Sequence, residues 1–121
     1  MKVVILGEAL CDLFAIDAEG RPTSSEHAHG YVRLAGGAPT NFAIGLARRG
    51  LAVELMSELG DDPMGRFLVA SLRAEGIATD AIRVSRRAKT GVSFISIDAR
   101  HMEAHDLGRL TIAGAVSQCD D

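Results

Sequence analysis

The six residues Gly36 to Asn41, GGAPTN, put two glycines, a proline and an asparagine directly ahead of a helix-like run. Gly36 and Gly37 carry no Cβ and can take φ > 0, so a ligand can lie against the main chain there. Pro39 stiffens the exit from the loop, and Asn41 is placed to cap a helix through Phe42, Ala43, Leu46 and Ala47. Upstream, Asp12 carries a carboxylate that can accept hydrogen bonds from a polyhydroxy ligand; a turn or cap carboxylate is the equal alternative.

The remaining candidates for chemistry point elsewhere or nowhere. His27 and His29 lack a third ligand and read as solvated loop histidines, and His101 to His105 has the order HxExH rather than the HExxH of zinc proteases. Asp61 and Asp62 read as an acidic helix start and not as a metal site. The cations Arg83, Arg86, Arg87 and Lys89 have no interleaved aromatics. With a net charge of −3, no Trp and one Tyr, the chain is not expected to bind nucleic acid. Cys11 and Cys119 stand at opposite ends with no CxxC pair, so cytoplasmic thiols are the expectation. No signal peptide is read at the N-terminus, and no apolar run approaches the roughly 20 residues of a membrane span.

These residues must be carried by one small domain. The chain has 121 residues, 47% of them hydrophobic and 24% charged, with only 3 prolines, which argues for a soluble globular chain rather than disorder. Val3 to Leu6 is an apolar run ending in Gly7, the pattern of a strand buried on both faces of a parallel sheet, with Glu8, Cys11 and Asp12 beyond its C-terminal end. Ala15 to Leu34 looks like a hairpin excursion from that sheet. A helix closed by Gly50, then a strand over Leu51 to Leu59, completes a right-handed βαβ unit. Asp62 and Pro63 open a second helix that ends at Gly76. A short connection and strand over Ile77 to Arg83 follows. Thr90 to Ile97 gives one more strand or the first arm of a hairpin, and Leu110 to Val116 a short strand or helix.

At Gly36 the sequence resembles the N-terminal signature of the ribokinase/PfkB carbohydrate kinase family. The matching positions are Gly36, Gly37, Pro39, Asn41, Ala43, Gly50 and Gly60, and the segments GEALCDLF, GDDPMGRFLVASLRAEGI and TGVSFISID are similar to family wording of the fructokinase and 2-keto-3-deoxygluconate kinase type. The resemblance implies an α/β fold, the N-terminal part of a ribokinase-like Rossmann-type three-layer sandwich with a small β-sheet lid. It assigns residues 1–98 to the kinase domain, with lid segments over about 12–34 and 90–98, and leaves 99–121 as a divergent tail. It further implies that Asp12, Gly36, Gly37 and Asn41 hold sugar hydroxyls, that full-length members use ATP and Mg²⁺, and that the lid forms a homodimer interface in several of them.

The departures matter equally. The family's glycine-rich anion hole and catalytic Asp belong to a C-terminal half, and no GAGD-like or P-loop sequence occurs in these 121 residues. The expectation is therefore the front of a sugar kinase acting on a ketose or sugar acid, inactive by itself, binding neither ATP nor Mg²⁺ tightly, with Arg100 to Asp121 read out of frame. The competing reading is a non-catalytic sugar-binding module or a pairing partner for another chain. Stopping an open sheet midway leaves an unpaired edge and a half-covered apolar face, so marginal stability is expected.

Overall fold

The computed structural model describes residues 1–98 and 103–106. Its elements are β1 (Lys2–Leu6), β2 (Leu10–Ile16), β3 (Gly30–Gly36), α1 (Ala38–Ala47), β4 (Ala52–Gly60), α2 (Pro63–Ala74), β5 (Ile82–Ser85), β6 (Gly91–Asp98) and β7 (Glu103–Asp106). They build two sheets. One is three-stranded, in the order β1-β4-β5, and the other four-stranded, in the order β3-β2-β6-β7.

The three-stranded sheet is parallel throughout, with Lys2 to Leu6 paired to Ala52 to Met56, and Ser57 to Gly60 paired to Ile82 to Ser85. Parallel strands need a crossover, and α1 supplies the one between β1 and β4 as the sequence predicts. Val53, Leu55 and Leu59 point to one face, where they pack with Ala43 of α1 and with Leu68 and Leu72 of α2 in a common buried core. Leu68 and Leu72 stand one turn apart, so both enter the same layer.

The opposite face departs from expectation. Alternate residues of β1 are exposed, Val4 at 51% and Leu6 at 79%, and Met56, the register partner of Leu6, is exposed at 41%. β1 is thus covered on one face and not buried on both, because both helices pack on the same side. A continuous apolar run shows that a strand is suited to two-sided burial; it does not supply the second layer.

α1 also begins earlier than the sequence suggests. Gly37 is its N-cap and Pro39 lies in its first turn, so Asn41 is inside the helix and not its cap. The physical reason is that Gly37 adopts φ +96°, which turns the chain abruptly out of β3 and lets the proline occupy a position where an N–H is dispensable. The closing turn follows expectation in kind, with Gly50 at φ +85° just past the helix end. α2 opens as predicted, Asp62 capping it and Pro63 following.

The hairpin excursion is real but starts at Leu10, so Cys11 and Asp12 lie on a strand of the second sheet and not in the loop after β1. β2 runs antiparallel to β3 and parallel to β6, while β6 and β7 form an antiparallel pair. Thr90 to Ile97 is therefore at once a further strand and a hairpin arm. The strand expected over Ile77 to Arg83 is realised later, as β5, after an isolated bridge of Ala78 to Glu54. Cys119, His101 and the Leu110 to Val116 segment lie outside the described residues.

Candidate functional site

The chain passes between the two sheets three times, at Gly7 to Ala9, at the β3 to α1 turn, and at Arg86 to Thr90. The candidate residues gather at the first two passages. Leu10 pairs with Gly36 and Asp12 with Leu34, which makes Asp12 and Gly36 diagonal neighbours on one face of an antiparallel pair. The Asp12 carboxylate lies directly over the Gly36 α carbon: a Cβ at 36 would overlap both its oxygens. A side chain at 36 would therefore force the Asp12 carboxylate out of its place.

Gly37 makes a second close approach. Its α carbon faces the Glu8 backbone, and a Cβ would stand 3.1 Å from the Glu8 carbonyl oxygen. The fully buried Thr40 Oγ1 donates to that same carbonyl at 3.1 Å. Gly7 completes the contact, since any side chain there would collide with the Pro39 ring. The end of β1 and the start of α1 are thus clamped together. Thr40 was not singled out by sequence reasoning; a threonine between Pro39 and Asn41 carries no pattern that distinguishes a buried donor from a surface one.

Asp12, Gly36 and Gly37 are brought together, with Asn41 one turn further along α1. Asn41 is exposed and lines a groove of about 450 Å³ between β3, α1 and α2, together with Leu34, Ile44, Phe67 and Ser71. That groove does not include Asp12 or the glycine pair. Its far end is closed by a bidentate pair in which Arg48 donates to Glu75 at 2.8 and 2.6 Å. Phe67, which lines the groove, also has the Arg33 guanidinium 4.5 Å from its ring centroid, a cation–π contact joining β3 to α2. Cys11, next to Asp12, is fully buried; burial pushes its thiol above the ordinary value, Arg33 opposes that and Asp12 adds to it.

The third passage has its own clamp. Asp62 Oδ1 accepts from the Gly65 amide at 2.8 Å, and Oδ2 accepts from the Thr90 amide at 2.8 Å. The Thr90 hydroxyl accepts from the Gly60 amide at 3.0 Å. Burial works against ionising Asp62, but these donors outweigh it and hold the carboxyl below the usual aspartate value. The Gly60 and Gly65 α carbons are covered by Asp62, Thr90 and the Gly60 carbonyl, so this glycine-rich turn is filled by the chain's own groups and offers no phosphate cradle. Asp61 pairs with Arg66 at 3.1 Å. Among the described residues no group of three His, Cys, Asp or Glu side chains is arranged to hold a metal, and no helix is long and apolar enough to cross a membrane.

Residues 1–107 match the family model described as pfkB family carbohydrate kinase. Over 97 residues the chain is 34% identical to a fructokinase of Solanum tuberosum, a match taking in 80% of this chain and 30% of that protein. Among solved structures, fructokinase with bound ATP from Xylella fastidiosa superposes with a TM-score of 0.71 at 33% identity, over 87% of this chain and 31% of that one. The 2-dehydro-3-deoxygluconokinase of Thermotoga maritima does so with a TM-score of 0.76 at 28% identity, over 89% and 32%. The chain thus spans less than a third of each of these relatives, and it shares their fold over that span.

Proposed function

The chain belongs to the pfkB family of carbohydrate kinases, and from that premise we propose that it forms the sugar-contacting part of an ATP-dependent kinase acting on a hydroxyl of a ketose or sugar acid. The observation that carries the reading is the placement of Asp12 over Gly36, beside the glycine-capped start of α1. An ionised carboxylate accepts hydrogen bonds from adjacent hydroxyls, and the Asn41 amide one turn away both donates and accepts. In this reading Asp12, Gly36, Gly37 and Asn41 hold the sugar. The β3-β2-β6 sheet, with segments at about 12–34 and 90–98, is the lid over it, and its outer strands are where a second copy would dock. Residues 99–121 are read as a divergent tail, although the family match runs to residue 107 and Glu103–Asp106 pairs with β6.

The same reading holds that these 121 residues do not catalyse phosphoryl transfer by themselves. That chemistry rests on positioned phosphates, metal and a base, and the base alone is typically worth about 10²–10⁴-fold. The glycines that could have cradled a phosphate are packed against Asp62 and Thr90, and the sequence contains no GAGD-like segment. A ribokinase-type member would need ATP and Mg²⁺ held by residues other than those seen here.

Isothermal titration of the 121-residue chain with fructose, ribose and ketodeoxygluconate, each with and without ATP, tests both parts. Sugar binding without ATP binding is the expected result, and it is lost in Asp12→Ala. Turnover of any of the three sugars would refute the claim of inactivity, and no binding of any sugar would refute the site.

A further inference from the structure

We propose that Asp62 is a positioning residue for Asp12: by dividing its two carboxylate oxygens between the start of α2 and the foot of β6, it fixes where β6 leaves the parallel sheet and hence where β2 holds Asp12. The inference rests on the sugar-site reading only for its functional consequence; the positioning itself rests on geometry.

A helix cap needs one acceptor. Asp62 Oδ1 meets that need at the Gly65 amide, and the second oxygen reaches 28 residues along the chain to the Thr90 amide. Thr90 is the last residue before β6 and is itself buried at 7% exposure. Its hydroxyl is engaged at the Gly60 amide, the last residue of β4. Two points of the parallel layer, Gly60 at the end of β4 and Asp62 at the N-cap of α2, therefore converge on Thr90, the residue that leads into β6 of the other sheet. Gly60 and Gly65 are glycines because side chains there would strike this assembly.

From Thr90 the constraint passes directly into the candidate site. Gly91, Val92 and Ser93 pair in register with Leu10, Cys11 and Asp12. A displacement of the first residues of β6 must move β2 with it or break that ladder. Of the other two passages, one runs directly into Leu10 of β2 and the other leaves β3 on the far side of β2, and Thr40 ties them together at Glu8. Asp62 thus governs the β6 side of the sheet independently of the glycine pair.

The test is the isosteric Asp62→Asn in the 121-residue chain. An asparagine side chain keeps one acceptor for the Gly65 amide but presents an NH₂, not an acceptor, to Thr90. Native-state amide exchange should rise about tenfold at Thr90 to Phe94 and at Leu10 to Leu13, as for one lost buried hydrogen bond, with Leu68 and Leu72 unchanged. Fructose affinity should fall by about the same factor. Asp62→Ser, which also offers a single cap acceptor, should reproduce the pattern should the asparagine variant fold poorly. Unchanged exchange in β6, or exchange in α2 rising as much as in β6, overturns the proposal by reducing Asp62 to an ordinary cap. A selective rise at β6 and β2 in a chain whose wild type binds no sugar upholds the positioning and overturns the sugar site instead. Wild-type sugar binding retained in full by a variant with unchanged exchange does the reverse.

Discussion

At the level of single residues the glycine pair does something narrower than its composition suggests. A glycine-rich loop invites the view that backbone is cleared for a ligand. Here the space above Gly36 is taken by Asp12 and that beside Gly37 by the Glu8 carbonyl, so the missing side chains admit the chain's own groups. Gly36→Ala is therefore expected to lower stability by about 1–3 kcal/mol through overpacking against the carboxylate. In an Asp12→Ala background the same change should cost markedly less, because the group it strikes is gone. Urea denaturation of the four proteins of this double-mutant cycle measures the coupling; additive costs would show that Asp12 does not occupy that space. The pattern GGAPTN was legible in the sequence, and so was Asp12 as a carboxylate of interest. Their contact was not, since it depends on the register that pairs Leu10 with Gly36 across a hairpin of unpatterned length.

At the level of elements, helix starts and stops were read well where a single residue type enforces them. Asp62 with Pro63, Gly50 and Gly76 mark boundaries through local chemistry, and the structure places them so. Asn41 was misread as a cap because an asparagine ahead of an apolar run is a good local signal, whereas the positive φ of Gly37 had already started the helix. The second oxygen of Asp62 was invisible for a different reason: its partner is 28 residues away. That oxygen has a consequence for acid stability. The Asp62 carboxyl is held below its ordinary value in the fold, so its contribution is present above the unfolded value of about 3.9 and is lost as pH falls through the lower folded value. Glu58, Glu75 and Asp17 are lowered too, Glu58 and Glu75 chiefly by arginine partners and Asp17 chiefly by the Arg21 backbone amide. Comparing the drop in urea midpoint between pH 5 and pH 3 for wild type and Asp62→Asn isolates the Asp62 share. The variant is expected to lose less; an equal loss would mean that the carboxylate's hydrogen bonds do not stabilise the fold.

At the level of the whole molecule, the one-sided coverage of the parallel sheet decides how the chain behaves in solution. Val4, Leu6 and Met56 form an apolar patch in the middle of the bare face, bordered by the Lys2 to Glu54 pair at 2.7 Å and by the Glu58 to Arg83 pair. Among the described residues β1 pairs only with β4, so one of its edges presents free backbone donors and acceptors beside that patch. Exposed parallel edges next to apolar surface promote association. The 121-residue chain is accordingly expected to show concentration-dependent association in sedimentation velocity and a broad, weakly cooperative thermal transition. Leu6→Lys should shift it toward monomer, because it places a charge at the centre of the patch and at the edge strand. It should change intrinsic stability by no more than about 0.5 kcal/mol, since Leu6 is already mostly in water and loses little packing. A monodisperse wild-type monomer with a sharp transition would show instead that the ion pairs flanking the patch suffice to protect it. The two sheets would then form a self-sufficient unit despite the uncovered face.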